Sequence, residues 1–123
     1  MFNTRARAAQ GLRIVFLNIW TPYLLAESKL SNDLKAIMFH IHGGVFQVGS
    51  GNDLLFGGGT LASQGDVVVV TLNYRLTTLE LLALDNRVTN GNYAVADMIA
   101  ALDWVRAHIE DFDGDPNRIT IMG

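Results

Sequence analysis

The chain of 123 residues has no cysteine, few charged residues and no long apolar run. Without cysteine it can form neither a disulfide framework nor a thiolate metal site. Charged residues make up only 17% of the chain and hydrophobic residues 50%, the opposite of the composition of disordered chains. No stretch approaches the roughly 18 consecutive apolar residues of a membrane span. We therefore expect one folded domain with a buried core.

Basic residues are also scarce, and this bears on partners and targeting. Nine Lys and Arg against twelve Asp and Glu give a formal charge of −3, so nothing favours a nucleic-acid partner. The first 26 residues contain Arg5, Arg7 and Arg13 and no acidic residue, a composition found in transit peptides. No small-residue cleavage site follows them. An Asn-x-Ser/Thr sequon is absent as well, so secretion has no local support. Three scattered histidines without paired acids predict no metal site.

Alternating strand and helix signals indicate an α/β fold. Strands are predicted at residues 14–20, 35–41, 66–72 and 118–122 because these stretches are rich in β-branched and aromatic residues. The run 66–72 is unbroken and does not alternate, which is typical of a central parallel strand covered on both faces. Long crossovers between the strands indicate a largely parallel sheet.

A long helix is predicted over residues 93–112. Asn92 offers an N-cap, Gly114 a C′ residue, and Pro116 blocks continuation. Apolar residues recur every three or four positions and predict one buried face, formed by Val95, Met98, Ile99, Leu102, Val105, Ile109 and Phe112. A shorter helical turn is predicted at 60–64, ending at Gly65.

The most informative segment is a glycine-rich loop, His40 to Gly51, that follows a buried strand. Glycines leave backbone N–H groups free to point at a negative group. In one large enzyme class that group is the oxyanion of an ester under attack.

Several segments, in this order and spacing, resemble the type-B carboxylesterases of the α/β-hydrolase superfamily, with a similarity to fungal carboxylesterase and lipase members. They are Phe16-Leu17-Asn18-Ile19-Trp20-Thr21-Pro22, Ile41-His42-Gly43-Gly44-Val45-Phe46 with Gly49-Ser50-Gly51, the run Gly65 to Leu76, Gly91-Asn92-Tyr93, and Trp104 to Gly123. The resemblance implies that residues 1–123 form the N-terminal part of an α/β-hydrolase fold. The sheet would be mostly parallel with a crossover helix, and the C-terminal strands would be missing.

By this resemblance the oxyanion donors are the backbone N–H groups of Gly44 and Val45, with Gly43 and His42 supporting the loop. Val45 replaces a glycine of the family pattern. A β-branched residue disfavours positive φ, so the donor would be misaimed if the loop requires a glycine conformation there. His42 braces the loop in this interpretation, because the family takes its base from a different histidine. His40 stands where many members carry an aromatic residue.

The same resemblance implies that the catalytic triad lies outside the chain. Gly123 occupies the first glycine of the family's Gly-x-Ser-x-Gly elbow, so the domain would end just before its serine, and the acid and histidine come later still. An elbow needs a glycine two residues before and two residues after its serine; Ser50 has Gly49 and Gly51 directly beside it instead, and Ser63 has only Gly65. Both are interpreted as ordinary loop serines.

Two further features bear on the fold. The resemblance predicts a structural ion pair between Arg75 and Asp97. The segment Thr77 to Glu80 departs from a family stretch that is richer in glycine, and Glu80 puts a charge where a small residue is common.

Two functions of different class remain. The first is an N-terminal fragment of a serine-type carboxylic ester hydrolase, inactive alone and without cofactor, whose full-length family acts on small carboxylic esters. The second is a non-catalytic binding or scaffold module derived from the fold. A nucleotide-binding domain is disfavoured because Gly-x-x-x-x-Gly-Lys is absent and Leu54 stands where Gly49-Ser50-Gly51 would need a third glycine.

Overall fold

A computed structural model of the protein describes residues 2–10, 13–22, 34–53, 57–84 and 91–123. In chain order these residues form β1 (Phe2–Gln10), β2 (Arg13–Thr21), β3 (Lys35–His40), α1 (Gly59–Gly65), β4 (Val68–Asn73), α2 (Thr78–Leu81), α3 (Tyr93–His108), a 3₁₀ helix (Ile109–Phe112) and β5 (Gly114–Met122). All four predicted strands and both predicted helices are present. Within the described ranges, no helix has the length and apolarity to cross a membrane.

The strands form a single mixed sheet in the order β1-β2-β4-β3-β5. β3 pairs in parallel with β4 and β5, whereas β2 pairs antiparallel with β1 and β4. The sequence predicts a mostly parallel sheet, and the parallel pairings are confined to β3 and its two neighbours. β1 is an additional strand, and its Ala and Arg residues explain the weak sequence signal, since Ala in particular is depleted in strands.

The core lies on both faces of β4, as its unbroken apolar run predicts. On one face Val68, Val70 and Leu72 pack with residues of β2 and β3 against α3. On the other face Val69 packs with Trp20 and with Ala62 of α1. Because β4 is covered on both faces and paired along both edges, the position of its C-terminal end is fixed from four sides.

The buried face of α3 differs from the predicted one. Val95 and Ile99 are 40% and 57% exposed, whereas Ala94, Asp97 and Ala101 are buried with Val105. Met98, Leu102, Ile109 and Phe112 do pack on the core, as expected. The helix is rotated so that a carboxylate, Asp97, faces inwards, and two apolar residues of the expected face are left at the surface.

The ends of the helical segment also differ in detail. Asn92 precedes α3 with φ +58°, but its side chain makes no capping hydrogen bond. The left-handed residue after the 3₁₀ helix is Asp113, with φ +65°, rather than Gly114, which already begins β5. Asp is tolerated there because its short polar side chain suits this conformation better than most.

β5 is the edge strand beside β3, and its outer edge is unpaired in the described sheet. Its last residues, Ile121 and Met122, are 54% and 39% exposed. An apolar edge of this kind is a template for pairing with another strand.

Leu17 and Phe16 of β2 provide a matched test of the core. Leu17 is fully buried and Phe16 is 46% exposed. We expect Leu17→Ala to lower the free energy of unfolding by about 2–5 kcal/mol through the cavity it leaves. Phe16→Ala removes a larger side chain but should cost less than about 1 kcal/mol, because its site is half in water. Urea unfolding followed by circular dichroism measures both, and equal losses would contradict the described core.

Candidate active site

The glycine-rich loop begins where β3 ends and runs beside the C-terminal end of β4. At its centre the carbonyl oxygen of Gly44 accepts hydrogen bonds from the N–H groups of Gln47, at 2.9 Å, and Val48, at 3.1 Å. These two bonds close a tight turn over residues 44–48. The turn carries Val45 at its outer surface, where the side chain is 84% exposed.

Three consecutive residues of this turn have positive φ. Gly44 has φ +123°, and Val45 and Phe46 have φ +57° and +58°. A Cβ at Gly44 would lie 1.9 Å from the carbonyl oxygen of Val48, so glycine is required there. The backbones of Val45 and Phe46 lie in the left-handed region of φ and ψ, a conformation that is costly for a β-branched residue such as valine. The loop therefore requires a glycine-like positive φ at Val45, and the valine adopts it despite the steric cost.

His42 anchors the start of the loop. Its ring stacks on the ring of Tyr74 at a centroid distance of 4.4 Å, and the Tyr74 hydroxyl donates to the His42 carbonyl oxygen at 2.6 Å. His42 Nδ1 lies 2.9 Å from the Gly43 carbonyl oxygen. The imidazole is 3% exposed, and a Cβ at Gly49 would lie 2.4 Å from it. This enclosed position agrees with a bracing role for His42.

Burial shifts the pKa of the neighbouring groups. The pKa of Tyr74 is raised by burial, which keeps the hydroxyl protonated as a donor. Burial, with a smaller contribution from the charge of His42, lowers the pKa of His40. Both shifts favour the neutral forms of Tyr74 and His40.

A buried polar network anchors the far end of the loop at Gly51. Its carbonyl oxygen accepts from Thr71 Oγ1 at 2.7 Å and from Asn18 Nδ2 at 3.2 Å. Its N–H donates to Asn73 Oδ1 at 2.8 Å. Asn18 and Thr71 are 3% and 0% exposed. The loop is thus tied to β2 and β4 by bonds that water cannot easily replace.

Arg75 and Asp97 form the ion pair that the sequence predicts. Arg75 Nε and Nη2 donate to the two carboxylate oxygens of Asp97 at 2.7 and 2.6 Å, and the Arg75 N–H donates at 3.1 Å. The guanidinium also lies 4.4 Å from the ring centroid of Tyr93. Hydrogen bonding to Asp97 raises the pKa of Arg75. The pair fixes α3 to the residues that follow β4.

The four residues singled out from the sequence, His42 to Val45, lie together in this loop. Within the described residues, the N–H groups of Gly44 and Val45 donate to no protein acceptor. Ser50 Oγ instead bonds Asn73, and Ser63 Oγ bonds the Thr60 carbonyl oxygen, as ordinary loop serines do. No group of three or more acidic or histidine residues suited to a metal ion occurs in the described segments.

The sequence assigned no role to Asn18, Asn73 or Tyr74, which hold the loop. Their only signal is position: Asn18 lies within a strand, and Asn73 and Tyr74 follow another. The structure also has a cavity of about 430 Å³ beside the loop, which the sequence did not predict. It lies between Val45 and Phe46 of the loop, α2, and the start of α3.

The chain is similar to proteins of one family. The model of the carboxylesterase family matches residues 15–123. Acetylcholinesterase-1 of Trittame loki is 44% identical over 109 residues, covering 89% of this chain and 19% of that protein. Neuroligin-2 of Mus musculus is 47% identical over 89 residues, covering 72% and 10%.

Solved structures show the same relation. A carboxylesterase of Geobacillus stearothermophilus superposes with a TM-score of 0.76 at 39% identity, covering 87% of this chain and 23% of that one. The α/β-hydrolase fold expected from the sequence is thereby confirmed. The chain spans about a fifth of the length of these esterase relatives.

Gly44 and Gly43 allow a matched test of the loop. We expect Gly44→Ala to open the turn, because its Cβ would overlap the Val48 carbonyl. Gly43→Ala should leave the turn intact, because a Cβ there meets nothing within 4 Å. Hydrogen exchange of the Val48 amide reports whether its hydrogen bond to the Gly44 carbonyl oxygen, which closes the turn, is intact. Faster exchange in the first variant only is the expected result, and unchanged exchange in both would refute the described geometry.

Proposed function

The chain belongs to the carboxylesterase family, and from this premise we propose that it supplies the oxyanion-hole loop of a serine-type carboxylic ester hydrolase. In this proposal residues 1–123 are the N-terminal part of the catalytic domain. The acting donors are the N–H groups of Gly44 and Val45, with Gly43 and His42 as support.

One observation carries the proposal. Two adjacent N–H groups at an exposed turn have no acceptor among the described protein atoms, yet the turn that presents them is fixed by hydrogen bonds. Preorganised donors of this kind stabilise negative charge without reorganising when it forms. Tyr74 and the network at Gly51 fix the loop at both ends.

The chemistry follows from the donors. When a serine oxygen attacks an ester carbonyl, the carbonyl oxygen gains negative charge, and the two N–H groups bind it. Collapse of this intermediate expels the alcohol and leaves an acyl-enzyme, which water then hydrolyses to the acid. The serine, its base and the orienting acid lie outside residues 1–123 in this proposal, so the chain alone turns over no ester.

A second candidate is a non-catalytic binding module. Two observations favour it: a β-branched residue occupies a positive-φ position of the loop, and Neuroligin-2, whose name denotes no hydrolase, is 47% identical over its match. A cooperative thermal melt of a monomeric chain would support an independent module. Aggregation on purification would support a part of a larger domain instead.

The proposed lack of an activated serine in this chain is tested by covalent labelling. We expect the 123-residue chain to remain unmodified after exposure to a serine-directed fluorophosphonate, as read by intact mass. The Geobacillus stearothermophilus carboxylesterase serves as the labelled control. A stoichiometric, stable adduct on this chain would show that it holds an activated serine and would overturn the proposed inactivity.

The donor role is tested by removing one N–H group alone. Residues 15–123 are exchanged into the matching segment of the same carboxylesterase, and the Val45 amide is replaced by an ester through the corresponding α-hydroxy acid. Loss of one oxyanion donor should lower kcat by about 100-fold or more with little change in KM. The same replacement at Val48, whose N–H only closes the turn, is the control. Equal effects at both positions would refute a specific donor role.

A further inference from the structure

The 430 Å³ cavity beside the glycine loop has a charged residue in an otherwise neutral lining. Val45, Phe46, Leu81 and Val95 contribute apolar surface, and the remaining described lining residues other than Glu80 are uncharged. Its volume is within the range of about 300–1,000 Å³ that is usual for small-molecule sites. The cavity is large enough for a ligand, and its only described charge is one carboxylate.

Glu80 is almost completely buried, at 6% exposure. Within the described segments its carboxylate accepts no hydrogen bond and joins no ion pair. The nearest arginine in sequence, Arg75, is committed to Asp97 through both arms of its guanidinium. Glu80 is itself one of the residues that line the cavity.

A carboxylate set among apolar side chains is a good acceptor for a cation that carries N–H groups, because charge-assisted hydrogen bonds are the strong ones. A carboxylate only accepts hydrogen bonds. A protonated amine offers both positive charge and donors, whereas a quaternary ammonium offers charge alone and an alcohol offers a donor alone. The apolar residues around Glu80 suit the body of such a molecule.

We propose that this cavity binds a protonated primary or secondary amine carried on an apolar body, with its N–H groups donating to Glu80. The proposal rests on the esterase function above in one respect. If the cavity serves that reaction, the preferred substrate of the complete enzyme is an ester that carries an amine. The binding site itself stands on the cavity and the carboxylate.

Backbone hydrogen bonds connect the lining of the cavity to the oxyanion loop. The Thr77 N–H donates to the Phe46 carbonyl oxygen at 2.8 Å, and the Glu80 N–H donates to the Thr77 carbonyl oxygen at 3.1 Å. These bonds fix α2 against the loop, and Val45 lines the same cavity. A molecule held at Glu80 therefore lies against the residue that carries one of the proposed oxyanion donors.

Three matched probes test the proposal on the full 123-residue chain: benzylamine, benzyltrimethylammonium and benzyl alcohol. Isothermal titration calorimetry gives the affinities, and amide shifts in NMR spectra locate the site. We expect benzylamine to bind most tightly and to shift the amides of Val45, Thr77 and Leu81. Glu80→Gln should weaken benzylamine binding about tenfold or more, since bonds to charged groups are the strong ones.

Glu110→Gln is the matched control, because it removes the same charge from an exposed site on the 3₁₀ helix. It should leave the affinity unchanged. Equal binding of benzylamine and benzyl alcohol, equal binding of benzylamine and the quaternary ammonium, or full affinity in Glu80→Gln would each overturn the proposal. If a variant folds poorly, the amide shifts that benzylamine causes in the unsubstituted chain still show whether it binds at this cavity. Since no ester is hydrolysed, the outcome is independent of the test of the proposed function.

Discussion

Asn73, Tyr74 and Arg75, the three consecutive residues at the end of β4, hold the site together. Asn73 bonds the N–H of Gly51, Tyr74 bonds the carbonyl oxygen of His42, and Arg75 pairs with Asp97 of α3. Each therefore binds a different part of the molecule. Because β4 is paired along both edges and buried on both faces, the backbone from which these three side chains project is held in place. The loop and α3 take their positions from that strand end.

The strands and the loop were predictable because their signals are local. The β-branched run of β4 and the glycines after β3 each announce their structure without reference to distant residues. β1 carries no such signal. The buried face of α3 was mispredicted for a tertiary reason: pairing with Arg75 draws Asp97 inwards, and the helix rotates with it. An apolar stripe predicts a helix face only when no ion pair competes for it.

Two departures from the family pattern that are separate in sequence meet in the structure. Val45 and Phe46 have positive φ, and so does Thr77, with φ +58°. The Thr77 N–H bonds the Phe46 carbonyl oxygen, so the unfavourable conformations face each other across one hydrogen bond. Strain that persists in this way needs support from the surrounding structure, and it is concentrated at functional sites more than elsewhere. Sequence spacing alone could not bring these positions together.

The strand order β2-β4-β3-β5 also has a consequence in time. β4 ends at Asn73 and β5 begins at Gly114, so the 40 residues 74–113 are made between them. A ribosome adds about 5–20 residues per second, so after β4 has been made β3 waits roughly 2–8 seconds for its second partner. During that interval the nascent chain shows an open strand edge carrying Ile37 and Phe39, which β5 later covers. The order of synthesis thus leaves one apolar strand edge unpaired until the last strand of the sheet is made.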